Sequence, residues 1–296
     1  MKLFKLSIFC LSFVFSCVLG FSQKDLNLDD AVMNQYRKYA PDRVANFEWI
    51  PETSNYSYLE EGRTVLVKSS PNSNEIDEII DIATVNKILK TEFRIFYSAS
   101  WLNKNELLLS DNQSFYSIDV NNKTGVRIHS LEENASSPKY ESSSHQLAYL
   151  VENNVMMRDA KSKLVPVTEN SDPNIVSGQA IARSEFGITE GLFWSKNGNY
   201  LAYYQKDETN VHNYPLLNNE DTPGTLMNVK YPMTGQLSEK PQIGIFNTKT
   251  RTTVFIKPEG NDDDYLTNLS FTPDEKYVVI AEVNRGQNHM WLNVYS

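Results

Sequence analysis

One unit recurs along the chain: an aromatic residue, a short polar turn often carrying Asn, Gly or Pro, an apolar strand, and then a further strand. Trp49, Trp101, Tyr140, Trp194 and Phe271 set its phase, opening runs at residues 49–58, 101–109, 140–150, 194–205 and 271–283. Further strand candidates follow at 114–120, 155–158, 243–247 and 291–295, and Asn/Lys/Thr turns lead into more strand at 126–128 and 253–256. Four-stranded units repeating every roughly 40 to 80 residues predict the blades of a β-propeller. A β-sandwich also yields short strands and polar turns, but the shared aromatic phase favours blades. The expected fold is all-β, a partial β-propeller of about four blades plus the start of a fifth. Trp49, Trp101, Trp194 and Phe271 are expected to pack in the core.

Outside the repeat, Met1 to Lys5 is a basic start, residues 6–21 are almost wholly apolar, and Gly20-Phe21-Ser22 offers a small-x-small cleavage pattern. Residues 1–22 therefore read as a signal peptide, with an exported product, periplasmic or secreted. Cys17 fits a lipid-anchor site poorly, because Val14 and the bulky Phe15 stand where such a site uses Leu and a small residue. Both cysteines, Cys10 and Cys17, fall in this segment, so cleavage would leave no thiol for a disulfide, a metal site or a nucleophile. Residues 23–46 read as a helical lead-in, with a short helix over 26–36 capped by Asn27 or Asp29. The helical period disappears from Phe47 onward, and residues 47–296 are expected to form an incomplete β-propeller domain. Pro and Asn in the insertion 206–241 predict a loop over a cavity or at a subunit contact.

The net charge of −9 argues against nucleic-acid binding. His129, His145, His212 and His289 lie far apart without metal-ligand spacing. Asp262-Asp263-Asp264 lacks the spacing and distal Glu of a calcium loop. Phosphate-cradling glycine runs are absent, so no cofactor or metal is expected.

Residues 184–205, SEFGITEGLFWSKNGNYLAYYQ, join a short acidic turn or loop to a strand, turn and strand. By itself a carboxylate there is an ordinary solvated residue. The run EFGITEGLFWSKNGNYLAYYQKDETNV resembles the signature of the dipeptidyl peptidase IV family of serine peptidases, and most closely its prolyl tripeptidyl peptidase branch. Tyr231-Pro232-Met233-Thr234-Gly235, Tyr265 to Ser270 and Ala281 to Arg285 extend the match. The resemblance is strong over 184–296 and diffuse before it.

It implies an eight-bladed propeller whose acidic segment reaches the active-site cavity, where Glu185 grips the free α-amine of a peptide substrate; Glu190 is a weaker second candidate. A carboxylate suits an ammonium, since charge-assisted hydrogen bonds are about twice as strong as neutral ones. Held at one distance from the nucleophile, it would also count the residues before the scissile bond. Dipeptidyl members show two adjacent glutamates; Ser184 and Phe186 flank Glu185, which favours tripeptide release. Residues 110–120 contain no arginine to hold the substrate carbonyl as in dipeptidyl members.

The family's catalytic serine, aspartate and histidine lie on a C-terminal α/β-hydrolase domain, and no G-x-S-x-G run occurs here. The chain is thus expected to be the N-terminal part of a prolyl di- or tripeptidyl exopeptidase, partnered by that domain and by peptides with a free N-terminus, with homodimerisation as a further expectation. The preference at the scissile bond would be set by the missing domain. The alternatives are a non-catalytic propeller that binds a peptide or protein, and an oligopeptidase-like filter of substrate size.

Overall fold

The computed structural model describes residues 27–41, 43–60, 62–111 and 113–296. Residues 1–22, expected to be a signal peptide, and with them both cysteines, lie outside the described residues. The chain divides into two compact units, residues 1–45 and 46–296. In the first, helix α1 (Leu28–Val32) is capped by Asn27, whose side chain accepts the Asp30 N–H at 2.7 Å. It is shorter than the expected 26–36: the Asn34 N–H reaches back to the Asp29 carbonyl, which unwinds the chain after little more than one turn.

The second unit is a row of antiparallel sheets. The first comprises β1 (Ala45–Trp49), β2 (Tyr56–Leu59), β3 (Val65–Ser69) and β4 (Asp77–Asp81). Helix α2 (Ile82–Leu89) follows, and the second sheet is β5 (Ser98–Asn103), β6 (Glu106–Ser110), β7 (Ser114–Asp119) and β8 (Thr124–Ser130). The third is β9 (Ala135–Glu141), β10 (Gln146–Val151), β11 (Asn154–Arg158) and β12 (Leu164–Pro166). In the fourth, β13 (Ile175–Ser177) and β14 (Leu192–Trp194) both pair with β15 (Tyr200–Asp207). A hairpin of β16 (Asn213–Asn218) and β17 (Thr225–Lys230) intervenes before β18 (Lys240–Asn247) and β19 (Thr252–Ile256) complete that sheet. The fifth has three strands, β20 (Tyr265–Phe271), β21 (Val278–Val283) and β22 (Met290–Tyr295). This is the partial β-propeller expected from the repeat.

The aromatic phase does its packing between sheets. Each ring meets the sheet before its own: Trp101 Nε1 donates to Ser57 Oγ at 2.8 Å, and Trp194 Nε1 to the Lys139 carbonyl at 2.8 Å. Tyr140 stacks on Phe115 and Phe271 on Tyr200. That direction explains the exception. Trp49 is 54% exposed, against the core position expected for it, because no sheet precedes the first among the described residues. Its ring meets those of Phe47 and Tyr56, edge on. Between the sheets lie shared apolar layers, such as Leu150, Val155 and Met157 against Leu192, Leu201 and Tyr203. Another joins Tyr204 and Ile243 to Leu266 and Ile280.

Two elements depart from the sequence reading. Helix α2 breaks the supposed all-strand run: Asp81 caps it by accepting the Thr84 N–H at 2.6 Å, and Lys90 ends it with φ of 57°. The insertion 206–241 is not a plain loop, since β16 and β17 pair over six residues each with Pro215 opposite Asn228. A two-stranded ribbon tolerates such a proline, because one backbone edge of each strand has no partner to lose.

Candidate functional site

The fourth sheet is built around an interruption. Its first strand is split into β13 and β14, and residues 178–191 leave the sheet between them. Both ends of this loop are fastened to one residue of β15. The Gly178 N–H donates to the Tyr204 carbonyl at 2.7 Å, and the Tyr204 N–H donates to the Gly191 carbonyl at 3.0 Å. The two legs run so close that a Cβ on Gly191 would sit 2.2 Å from the Gly178 carbonyl oxygen. Gly178 adopts φ of +79° and faces Leu150 and Val155 of the neighbouring sheet, leaving no room for a side chain. Glycine is required at both positions.

Inside the loop, Ile181 and Ile188 are buried, 1% and 6% exposed, and join the apolar layer shared with the fifth sheet. Between them the chain winds left-handed: Ala182, Arg183, Ser184 and Phe186 have φ of 53°, 49°, 63° and 55°. Glu185 alone is extended, with φ −62° and ψ 159°. The segment is therefore neither a turn of ordinary helix nor a slack loop. Each left-handed non-glycine residue costs on the order of 1 kcal/mol or more, and such strain persists only where the surroundings hold it. Here the Ala182 N–H donates to buried Glu239 Oε1 at 2.8 Å, and Arg183 pairs with Glu239 at 3.6 Å while lying over the Tyr231 ring. Phe186 packs on Tyr265 with centroids 4.9 Å apart.

These restraints present the Glu185 carboxylate, on an exposed residue, at a cleft of about 110 Å³. Arg183, Tyr231, Glu239, Asp264, Tyr265 and Arg285 help line it. All four motif segments quoted above, around residues 185, 231, 265 and 285, thus meet at one place. Among the described residues, the hydrogen-bond partner of the Glu185 carboxylate is the neutral Gln287 side-chain amide, at 3.3 Å, and no cation is within ion-pair distance. Glu190 is placed differently: it forms an ion pair with Lys139 of β9 and so ties the loop to the third sheet. The structure does not bring the two acids to one point. Tyr265, Arg285 and Gln287, which the sequence reading gave no role, stand beside Glu185 instead. Tyr265 and Arg285 lay within the quoted motif; nothing in the local pattern marked Gln287.

A profile described as the dipeptidyl peptidase IV (DPP IV) N-terminal region matches residues 85–296. A probable dipeptidyl-aminopeptidase B of Podospora anserina is 22% identical over 300 residues, covering 82% of this chain and 32% of that protein. Pig dipeptidyl peptidase 4 is 26% identical over 170 residues, covering 51% of this chain and 22% of that protein. Among solved structures, a putative dipeptidyl aminopeptidase IV from Bacteroides ovatus superposes with a TM-score of 0.77 and 30% identity, over 86% of this chain and 36% of that one. Porphyromonas gingivalis dipeptidyl peptidase 4 gives a TM-score of 0.73 at 18% identity, over 93% of this chain and 41% of its own, a likeness of fold. The chain spans about a third of the length of the first of these relatives. With its profile match over residues 85–296, this chain belongs to the dipeptidyl peptidase IV family, to whose N-terminal region it corresponds.

Proposed function

We propose that this chain is the propeller part of an exported serine exopeptidase that removes di- or tripeptides from a free N-terminus, with Glu185 pairing with the substrate α-ammonium. One observation carries the reading: a carboxylate without a cationic partner among the described residues stands within a strained segment fastened at both legs to Tyr204. A rigid anion at a cleft suits recognition of an ammonium, because the ordering cost is met before the ligand arrives. Nucleophile, base and acid belong to an α/β-hydrolase domain outside this sequence, which has no G-x-S-x-G run. The lack of a second glutamate next to Glu185, with Glu190 drawn off to Lys139, supports tripeptide over dipeptide release. The hairpin β16–β17 exposes Leu217, Leu226 and Met227, and we assign it a homodimer contact. The full-length protein tests the main reading directly. Prolyl peptides with a free amine should be cleaved and their N-acetylated forms refused; equal rates on both would remove amine recognition.

A further inference from the structure

The hydrogen-bond inventory beside Glu185 leaves one donor unspent. Tyr265, the first residue of β20, is 7% exposed, and its hydroxyl oxygen is a partner twice over. Arg285 Nη1 donates to it at 2.5 Å, and Gln287 Nε2 donates to it at 3.4 Å while also reaching Glu185 Oε2 at 3.3 Å. A phenol oxygen has two acceptor sites and one hydrogen. With both acceptor sites turned to N–H donors, the Tyr265 O–H remains to donate. The Arg285 guanidinium polarises it further, since hydrogen bonds in a chain strengthen one another. This guanidinium lies over the Tyr265 ring at 4.9 Å and has no carboxylate within ion-pair distance among the described residues. The Arg285 backbone N–H is fixed to buried Asp264 Oδ1 at 3.1 Å, so the base of this group is held.

We propose that the Tyr265 hydroxyl, oriented by Arg285 and Gln287, is a second substrate-binding group. It donates to the first backbone carbonyl oxygen of the peptide whose α-amine Glu185 holds. This rests on the Glu185 reading above. The spacing agrees: one amide nitrogen contacts both the Glu185 carboxylate and the Tyr265 oxygen, so the two lie within one amino-acid residue's span once each adds a contact of about 2.8 Å to the ligand. Ammonium and carbonyl of a single residue would then bridge an anion and a donor, which fixes the direction of the entering peptide as well as its charged end.

Tyr265→Phe in the full-length enzyme tests this, since it removes the hydroxyl and keeps the ring that Phe186 and Arg285 pack against. The probes are a free-amine peptide inhibitor and its isostere in which an alkene replaces the first peptide bond, so that the amine stays and the carbonyl goes. Wild type should bind the parent about tenfold more tightly than the isostere; Tyr265→Phe should bind the two alike, with kcat/KM on free-amine substrates down about tenfold. Equal discrimination in wild type and variant would overturn the assignment. The ratio of inhibition constants does not depend on how much protein folds, so a low yield still gives an answer. Arg285→Met, which keeps the phenol but removes its polarising donor, should show a smaller loss of discrimination; full discrimination there would remove Arg285 from the group. Glu185→Gln is read in parallel. If it leaves kcat/KM unchanged, the amine anchor has failed; if it lowers kcat/KM while Tyr265→Phe keeps full discrimination, only the hydroxyl assignment has.

Discussion

Glu185 and Glu190 sit on one loop, and their neighbours give them different work. Glu190 is ion-paired to Lys139 across two sheets, with both side chains well exposed. Exposed pairs contribute about 0–1 kcal/mol. Glu190→Gln should therefore cost no more than that in a denaturant titration and leave the preference for a free amine unchanged; a loss of that preference would move the anchor to Glu190. The motif following Ser184 singles out Glu185, and the structure puts that residue at the cleft. The backbone that presents it was not. Alanine, arginine, serine and phenylalanine do not favour φ near +50°, and nothing local in the sequence announces that tertiary contacts will impose it. Trp49 shows the same gap: its phase marked it as a packing residue, but the surface it would pack on is another sheet's.

At the scale of elements, the loop 178–191 works because its legs can touch. Gly191→Ala drives a Cβ into the Gly178 carbonyl. Relief must come from parting β13 and β14, a strain of the kind that costs about 1–3 kcal/mol. A lower thermal midpoint together with weakened amine selectivity is expected; stability and selectivity both at wild-type level would show that the close approach is unimportant. The turns carry a second device. Glu275, in the hairpin of the fifth sheet, accepts the Asn197 N–H at 2.6 Å and the Asn199 amide from the turn of the fourth. Partial burial raises its pKa, yet hydrogen bonds from Asn199, Ser195 and Asn197 outweigh that and bring it down to about 2. The carboxylate's contribution is complete above its unfolded value near 4.5 and is lost as pH falls toward 2. Solvent screening limits it to about 1 kcal/mol. Glu275→Gln should flatten the acid limb of the stability curve in that window, and an unchanged slope would dismiss the staple. Strand pairs with a tight polar turn were readable from sequence because alternation and turn residues are local. Helix α2 escaped because it is short, and only Asp81 followed by Thr84 signalled its start. Hairpin β16–β17 escaped because proline and asparagine argued for loop.

For the whole molecule, the blade count was legible, since repetition survives in sequence where contacts between blades do not. Those contacts include buried His129, whose Nε2 lies 3.0 Å from the His145 carbonyl and whose Nδ1 lies 3.3 Å from Ser162 Oγ. Burial is the chief reason its pKa is lowered from 6.5. Below pH 6.5 the unfolded chain takes up a proton that the folded one resists, so stability should fall as the solution is acidified through that region. His129→Gln should remove that part of the slope, and a slope that survives would assign it elsewhere. Assembly is tested through the exposed ribbon: Leu226→Asp should convert a dimer to a monomer in sedimentation equilibrium, and a dimer that persists would clear the hairpin of that role. The proposed amine recognition turns on a fixed anion meeting a peptide's ammonium. Its most direct test is kcat/KM of full-length wild type and Glu185→Gln on a prolyl tripeptide substrate with a free amine and on its N-acetylated form. The prediction is a loss of roughly 10²-fold, about 3 kcal/mol, for the free-amine substrate alone. A variant that cleaves that substrate at the wild-type rate would contradict it.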